Sequence, residues 1–309
     1  MTNTDFEKLV DTSDEWITSR TGIKERRVAE DGCAGSDMAV AALRSALAMA
    51  ETEAGELEVL ILGTVTPDYQ LPSSACVVQE KMDLGHAVAF DVVSACTGFI
   101  NGLAVARAYI ESGMYRKVGV IGVEKLSSVI NYRDRNTCVL FGDGAGAAVV
   151  CAGNGDRGVL STFMRSDGRM RKLLWIKAGG TVNPIAPGFA FDGSDKIAMC
   201  GSEVFKVAVR EMCNASQTVM DEAGVSGSDL ALVVPHQANI RIVEAFAKRL
   251  GVSMDRVKMN IEKYGNTSAA AVPIALDEAH REGRIKPGDL VLMVAFGGGL
   301  IWGAALVRW

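Results

Sequence analysis

Apolar and polar positions along the 309-residue chain change repeatedly from a helical period to a strand-like period. Residues 36–50 carry apolar side chains at helical spacing, and residues 97–111 form an almost wholly apolar helical stretch that ends at Ser112-Gly113. The short apolar runs "EVLILGTV", "AVAFDVV" and "LALVV" are typical of buried strands. This alternation predicts an α/β protein in which the helix over 97–111 is buried centrally.

Polar residues near the start predict two short opening helices. Thr4 with Glu7, and then Thr12 with Glu15, have the spacing of a capping box, in which two side chains satisfy N–H groups of the first helical turn. Gly22 is placed to end the second helix, because glycine adopts the left-handed conformation of a helix end without strain.

A repeated pattern divides the chain into two parts. "FGDGAGAAVV" (141–150) resembles "FGGGLIWGAALV" (296–307) at an offset of 155 residues, about half the chain, and "LEVLIL" more faintly resembles "LALVV". The pattern predicts two α/β halves, residues 1–155 and 156–309, with residues 161–195 as an insertion or cap. A dinucleotide-binding loop is the alternative for the first glycines, but they precede a strand-like run instead of opening a helix.

Composition and charge narrow the class of protein. Charged residues make up 22% and the net charge is −5, which argues against nucleic-acid binding. The seven scattered cysteines contain no C-x-x-C pair and indicate reduced thiols, and the three distant histidines predict no metal site. Neither a leader nor 18 consecutive apolar residues occurs, so we expect a soluble cytoplasmic protein with no membrane contact.

The segment "DVVSACTGF" places Cys96 where a strand passes into a helix. Unpaired N–H groups and the helix dipole at such a position lower the pKa of a thiol, and the small neighbours leave room for a substrate carbonyl. Cys96 is therefore a candidate nucleophile. A buried structural cysteine is the alternative.

Two further residues are candidates for chemistry. His236 follows the strand "LALVV" at its C-terminal end, where α/β folds place active sites, and Asn239 is placed to cap the next helix. Asn266 lies between Gly265 and small residues, so its amide can enter a cavity. A hydrogen-bonded loop histidine and a turn asparagine are the alternatives.

The segments "VSACTGF", "PHQANIRI", "YGNTSAA" and "FGGGLIWGAALV" resemble, in order and separation, the active-site segments of the β-ketoacyl-acyl-carrier-protein synthase III family. "DTSDEWITSRTGIKERR" and "LFGDGAGAAV" extend the resemblance to nearly the whole chain. It implies the thiolase fold, in which two duplicated α/β halves form α-β-α-β-α layers, and a homodimer. It also implies condensation of an acyl-CoA, such as acetyl-CoA, with malonyl-acyl carrier protein, releasing CoA and CO2 without a cofactor.

The resemblance assigns roles residue by residue. Cys96 would carry the acyl group, the backbone N–H groups of Cys96 and Gly298 would form the oxyanion hole, and His236 with Asn266 would stabilise the enolate. The implied CoA-binding residues are Trp16, Arg20, Thr21, Arg135 and Asn239. The implied acyl-pocket residues are Leu71, Met199 and Phe296. The implied carrier-protein contacts are Lys206, Arg210, Gln237, Ala238, Asn239, Ile240 and Arg241.

The sequence departs from the family pattern at two places. Leu71 stands where the family often has a phenylalanine that reaches the partner subunit, which leaves primer length and branching open. Family members usually have a β-strand before "DTSDEWI", so we expect either a misassigned or truncated start or a missing central strand.

Three other classes of protein share some of these residues. Papain-type hydrolases also use Cys, His and Asn, but their C-G-S-C-W-like context is absent. Thiolase-superfamily relatives that make polyketide starters, alkylquinolones or long-chain ketones are nearer rivals. A non-catalytic acyl-binding protein would keep the fold without all three reactive residues.

Overall fold

The computed structural model describes residues 1–153 and 157–309. Its helices there are α1 Asn3–Glu7, α2 Asp14–Thr21, α3 Gly35–Met49, α4 Ser74–Met82, α5 Gly98–Glu111, α6 Gly201–Ala223, α7 Ile240–Leu250, α8 Ile261–Tyr264 and α9 Ala271–Arg281. Its strands there are β1 Val59–Gly63, β2 Val88–Val92, β3 Lys117–Glu124, β4 Gly144–Cys151, β5 Gly158–Ser166, β6 Leu174–Ile176, β7 Ile197–Met199, β8 Leu230–Pro235, β9 Leu290–Gly297 and β10 Ile301–Arg308.

Three strands of each main sheet have matching arrangements, and the fourth strand lies at opposite edges, beside β1 in the first sheet and beside β10 in the second. In the first, of order β2-β1-β3-β4, β1 pairs parallel with β3, and β4 returns antiparallel. In the second, of order β5-β10-β9-β8, β8 pairs parallel with β9, and β10 returns antiparallel. The two "GAA" segments lie in β4 and β10, and "LEVLIL" and "LALVV" lie in β1 and β8, so both sequence repeats occupy equivalent strands.

Alternating side chains assign the helices to three layers. In β1, Val59 and Ile61 face α5, α9 and the second sheet, whereas Leu60 and Leu62 face α3 and α4. The second sheet packs its other face against α6 and α7. Since side chains alternate across a strand, each sheet is buried on both faces. The predicted α-β-α-β-α layering and the central position of α5 are both confirmed.

The predicted cap residues of the first two helices are wrong. The N-cap of α1 is Thr2 instead of Thr4, and that of α2 is Ser13 instead of Thr12. An N-cap needs an extended backbone, which Thr2 and Ser13 adopt. Gly22 ends α2 in the left-handed conformation, as predicted.

The predicted insertion over 161–195 is also wrong in its first part. Residues 161–166 belong to β5, which pairs antiparallel with β10 inside the second sheet. The irregular segment therefore starts after Ser166 and holds only the short strand β6 and 3-10 turns before β7. The predicted boundary between residues 155 and 156 lies outside the described residues.

Candidate active site

Cys96 lies in a 3-10 turn, Ala95–Thr97, between β2 and α5. Cys96 is 7% exposed and lies against the end of β9. A Cβ placed on Gly297 would be 2.7 Å from the Cys96 backbone nitrogen, so only glycine allows this approach. The two halves of the chain therefore meet at the backbone of Cys96.

Burial raises the pKa of the Cys96 thiol to about 12, although the Ser268 hydroxyl opposes this and Glu124 adds to it. The expectation that the helix start lowers this pKa is wrong for the resting protein. Desolvation of the thiolate outweighs the helix dipole because the side chain has almost no contact with solvent. The resting group is a neutral thiol.

His236 directly follows β8, and its backbone N–H donates to Val294 O of β9 at 2.8 Å. The residue is 2% exposed, and Nδ1 is buried without a hydrogen-bond partner among the described residues. Burial lowers the pKa of the imidazole to about 4, so the ring is neutral at pH 7. A neutral imidazole carries one N–H donor.

Asn266 is fixed to the first half of the chain by its backbone. Its N–H donates to Leu140 O at 2.8 Å, and its carbonyl accepts from Gly142 N at 3.0 Å. Its side-chain Oδ1 accepts from the Ser268 N–H at 2.9 Å. The Asn266 NH2 group is therefore the part of the amide that remains for a substrate oxygen.

These three side chains line one cavity of about 740 Å³, which combines residues from both halves. Its inner wall includes Phe141 and Phe296, the phenylalanines that open the two sequence repeats. A thiol and two N–H-donating groups thus converge in a mainly apolar chamber. Such a site can hold a thioester and stabilise negative charge on its oxygen.

The outer part of this cavity contains Trp16, Arg20, Thr21, Asn239 and Arg241. The guanidinium carbons of Arg20 and Arg135 each lie 5.0 Å from the centre of the Trp16 ring. For a flat ring to stack between the Trp16 ring and the Arg135 guanidinium, these two planes must lie about 7 Å apart, which is twice an ordinary contact distance. A flat ring therefore enters between Trp16 and Arg135 only if Arg135 moves outward.

A second cavity, of about 540 Å³, adjoins the first at Cys96. Its walls include Leu126, Ile176, Ile197 and Ile301, and Gly298 is also on its surface. None of these four apolar residues stood out in the sequence, because each is an ordinary core-type residue in a different segment. Only the segment "FGGG" (296–299), just before Ile301, indicated that the β9–β10 turn faces the site.

The residues predicted for the acyl pocket separate in the structure. Met199 and Phe296 line the first cavity and do not line the second, apolar one. Leu71 lines neither described cavity of this chain and is 87% exposed.

The residues predicted to contact a carrier protein also differ in accessibility. Lys206 and Arg210 are exposed on α6, where each pairs with a glutamate of the same helix. Gln237 is 1% exposed, and its amide donates to Pro235 O and Lys258 O, so it is not a surface contact in this structure.

The rest of segment 237–241 lies at or near the rim of the first cavity. Ala238 lines the cavity, and Asn239 caps α7 by accepting the Arg241 N–H at 2.9 Å. Ile240 packs against Gly22, and Arg241 donates to Ser19 O at 3.0 Å. This segment therefore joins α2 to α7 at the cavity mouth.

Within residues 1–153 and 157–309, no group of three His, Cys, Asp or Glu side chains is placed to hold a metal ion. No helix in these ranges is both long and apolar enough to span a membrane.

A layered pair of α/β halves with a cysteine, a histidine and an asparagine in one buried cavity defines a thiolase-fold acyltransferase. Family models of 3-oxoacyl-[acyl-carrier-protein] synthase III match residues 90–168, and models of its C-terminal part match residues 220–309. The chain belongs to the β-ketoacyl-[acyl-carrier-protein] synthase III family.

Individual relatives match over the full chain. The β-ketoacyl-[acyl-carrier-protein] synthase III of Caldanaerobacter subterraneus subsp. tengcongensis is 50% identical over 100% of this chain and 93% of its own length. The crystal structure of the Aquifex aeolicus VF5 enzyme has a TM-score of 0.93 at 48% identity, covering 100% of this chain and 95% of that chain. The Thermus thermophilus structure gives 0.93 at 44% identity, with the same coverage.

Proposed function

We propose that the chain condenses a short acyl-CoA with malonyl-acyl carrier protein, giving 3-ketoacyl-carrier protein, CoA and CO2. The observation that carries this proposal is the convergence of Cys96, His236 and Asn266 on one buried cavity in a chain of this family. The reaction balances with these two substrates and one proton from water, which returns to the Cys96 sulfur at the end.

The first half-reaction loads Cys96. Its sulfur attacks the acyl-CoA carbonyl, the bond from that carbon to the CoA sulfur breaks, and the thiol proton ends on CoA. The Cys96 and Gly298 N–H groups serve as the oxyanion hole, where loss of one donor typically costs about 3–4 kcal/mol. The close contact of Gly297 with the Cys96 amide supports this pairing.

The second half-reaction forms the carbon–carbon bond. The malonyl group loses CO2, the electron pair becomes an enolate, and the enolate carbon attacks the acyl-Cys96 thioester. The sulfur leaves and regains a proton. Neutral His236 and the Asn266 NH2 group donate hydrogen bonds to the enolate oxygen, and their burial strengthens these bonds.

The acyl chain occupies the second cavity, because its apolar walls begin at the Cys96 side chain. The CoA portion lies along the first cavity, with its adenine between Trp16 and Arg135 after Arg135 moves outward. The size of the second cavity accommodates a short or branched primer.

A homodimer completes the second cavity in this proposal. Leu71, Val93, Val182 and Phe191 are 87%, 78%, 97% and 76% exposed, and Val93 also lines that cavity. Such large exposed apolar side chains favour burial against another surface. Leu71 then acts on the acyl pocket of the partner subunit. Light scattering should give twice the chain mass, and a monomer at micromolar concentration would contradict this arrangement.

The acyl carrier protein docks beside the mouth of the first cavity. Arg241 lines that cavity, as do other residues of α6, the helix that carries Lys206 and Arg210. On docking, Lys206 and Arg210 exchange the glutamates that they pair with for carboxylates of the carrier. A local basic surface suits an acidic carrier.

The decisive experiment separates loading from condensation. The protein is incubated with radiolabelled acetyl-CoA, isobutyryl-CoA or octanoyl-CoA, with and without malonyl-carrier protein. We expect label on the protein without the malonyl substrate, and label on 3-ketoacyl-carrier protein together with CO2 release when it is added. Release of free acid alone would indicate a hydrolase and overturn the proposal.

A further inference from the structure

Glu124, the last residue of β3, is a fully buried carboxylate outside the groups that carry the proposed chemistry. It accepts hydrogen bonds from the hydroxyls of Thr66 at 2.7 Å and Thr64 at 3.2 Å, and from the Val65 N–H at 3.1 Å. A fourth donor, the Ser268 hydroxyl, lies 3.0 Å from its other oxygen. The first three donors belong to the first half of the chain, as does Glu124 itself, and the fourth donor connects Glu124 to the second half.

Ser268 has a backbone conformation that needs such support. Its φ is +49°, in the left-handed region, where a residue with a Cβ is disfavoured about tenfold or more. It is also 4% exposed, so solvent does not stabilise its hydroxyl. Two residues before Glu124, Gly122 lets the same turn approach, because a Cβ there would be 2.1 Å from Ala269 O. The end of β3 therefore supports this turn at two points.

The conformation of Ser268 determines how the Asn266 amide is oriented. The Ser268 N–H is the donor to Asn266 Oδ1, at 2.9 Å. Because Ala269 is held against Gly122, a change of sign in φ of Ser268 must be compensated by rotation of the Thr267–Ser268 peptide plane. That rotation turns the Ser268 N–H away from Asn266 Oδ1 and leaves the carboxamide free to rotate. The Asn266 backbone would remain in place, because its bonds to Leu140 and Gly142 do not involve Ser268.

We propose that Glu124 is a positioning residue for the condensation half-reaction, which holds Ser268 in its left-handed conformation and thereby directs the Asn266 NH2 group into the cavity. This inference rests on the proposed function. Burial raises the pKa of Glu124 to about 7, and the hydroxyl and amide donors oppose that rise. A carboxylate retained at such a buried place agrees with a role in the site.

The first test compares Ser268→Ala with Ser268→Gly. Both variants lack the hydroxyl, so any effect of the hydroxyl on the neighbouring Cys96 thiol is common to them. Only glycine adopts the left-handed backbone without the Cβ penalty. We expect malonyl-carrier decarboxylation to be about tenfold slower in the alanine variant than in the glycine variant. Loading of Cys96 from acetyl-CoA, followed by intact mass, should agree within about twofold.

The second test places Glu124→Met in two backgrounds. Methionine has a similar length but offers the Ser268 hydroxyl no oxygen acceptor, whereas glutamine would still bind that hydroxyl through its NH2 group. In the background that keeps Ser268, we expect the substitution of Glu124 to lower the decarboxylation rate about tenfold. In the Ser268→Gly background, we expect the same substitution to lower that rate by less than about twofold. Thr66→Val is the matched control, because it removes a bond to Glu124 on the side away from Asn266. It should lower the melting temperature without changing the ratio of the two half-reaction rates.

Two results would overturn the inference. One is equal decarboxylation by the alanine and glycine variants of Ser268. The other is a Glu124→Met variant that loses loading and decarboxylation in the same proportion, which indicates a purely structural role. If the wild-type chain neither loads acetyl groups nor decarboxylates the malonyl substrate, the proposed function itself fails.

Discussion

Replacing Gly297 by alanine tests the geometry of the oxyanion hole most sharply. The added Cβ would lie 2.7 Å from the Cys96 backbone nitrogen and 3.1 Å from the Cβ atoms of Ala95 and Cys96. Ordinary contacts are about 3.5 Å or longer, so the Cys96 amide must retreat by about 0.8 Å. Gly297 has no positive φ, so alanine brings steric pressure without backbone strain.

That displacement has a predictable effect on acylation. A hydrogen bond of about 2.9 Å from the Cys96 N–H to the thioester oxyanion would lengthen to about 3.7 Å, beyond the useful range. Loss of one such donor typically slows the reaction by about 10²–10³. We expect single-turnover acetylation of Gly297→Ala, followed by intact mass after rapid quench, to be at least about 100-fold slower than wild type.

The control is Gly55→Ala, because Gly55 has nothing within 4 Å of an added Cβ and no positive φ. Its acetylation rate should match wild type. Overpacking at Gly297 should also cost about 1–3 kcal/mol of stability, so circular dichroism should show a folded protein with a lower melting temperature. Wild-type acetylation by a folded Gly297→Ala protein would refute the assignment of the Cys96 amide.

Three further predictions concern stability and docking. Burial lowers the pKa of His236 from 6.5 to about 4, so the unfolded chain binds a proton that the folded chain does not, and stability should rise with pH across that window. In urea titrations, this rise should be about 3 kcal/mol larger in wild type than in His236→Gln, and equal slopes would contradict the burial argument. The Lys258 side chain is 4% exposed and lies 2.7 Å from Glu282 and 3.3 Å from Glu278. Lys258→Ala removes both pairs and leaves two neighbouring carboxylates without their cation, so it should cost about 3 kcal/mol, whereas Glu282→Gln leaves Lys258 paired with Glu278 and should cost less than about 1. Similar losses for the two variants would show that Glu278 does not compensate the buried cation. Lys206→Glu with Arg210→Glu should raise the KM for malonyl-carrier protein about tenfold without slowing acetyl-CoA loading, whereas equal losses would argue against docking there.

Local patterns predicted most of the fold. The helix expected over 36–50 is α3, the apolar stretch 97–111 becomes α5, and Gly22 ends α2 in the left-handed conformation. The continuous burial of β1 and the nearly continuous burial of β8 follow directly from their apolar runs. These features depend on residues that are neighbours in the sequence, so the sequence alone predicts them.

Features that depend on distant contacts were harder to predict. The Cys96 pKa is raised because the β9–β10 turn and the Ser268 turn enclose the thiol, and nothing in "DVVSACTGF" reports those neighbours. Gln237 follows His236 in a segment expected at the surface, yet its side-chain NH2 group donates hydrogen bonds to the backbone carbonyls of Pro235 and Lys258 in the interior. The roles of such residues depend on segments far away in the chain.

The central claim is that Cys96 carries the acyl group. Acetyl-CoA-treated protein, digested at low pH and analysed by mass spectrometry, should show an acetyl thioester on the Cys96 peptide and on none of the six other cysteine peptides. Cys96→Ser should abolish this thioester, and addition of malonyl-carrier protein should discharge it from wild type. A thioester on another cysteine, or one on Cys96 that malonyl-carrier protein does not discharge, would contradict the account.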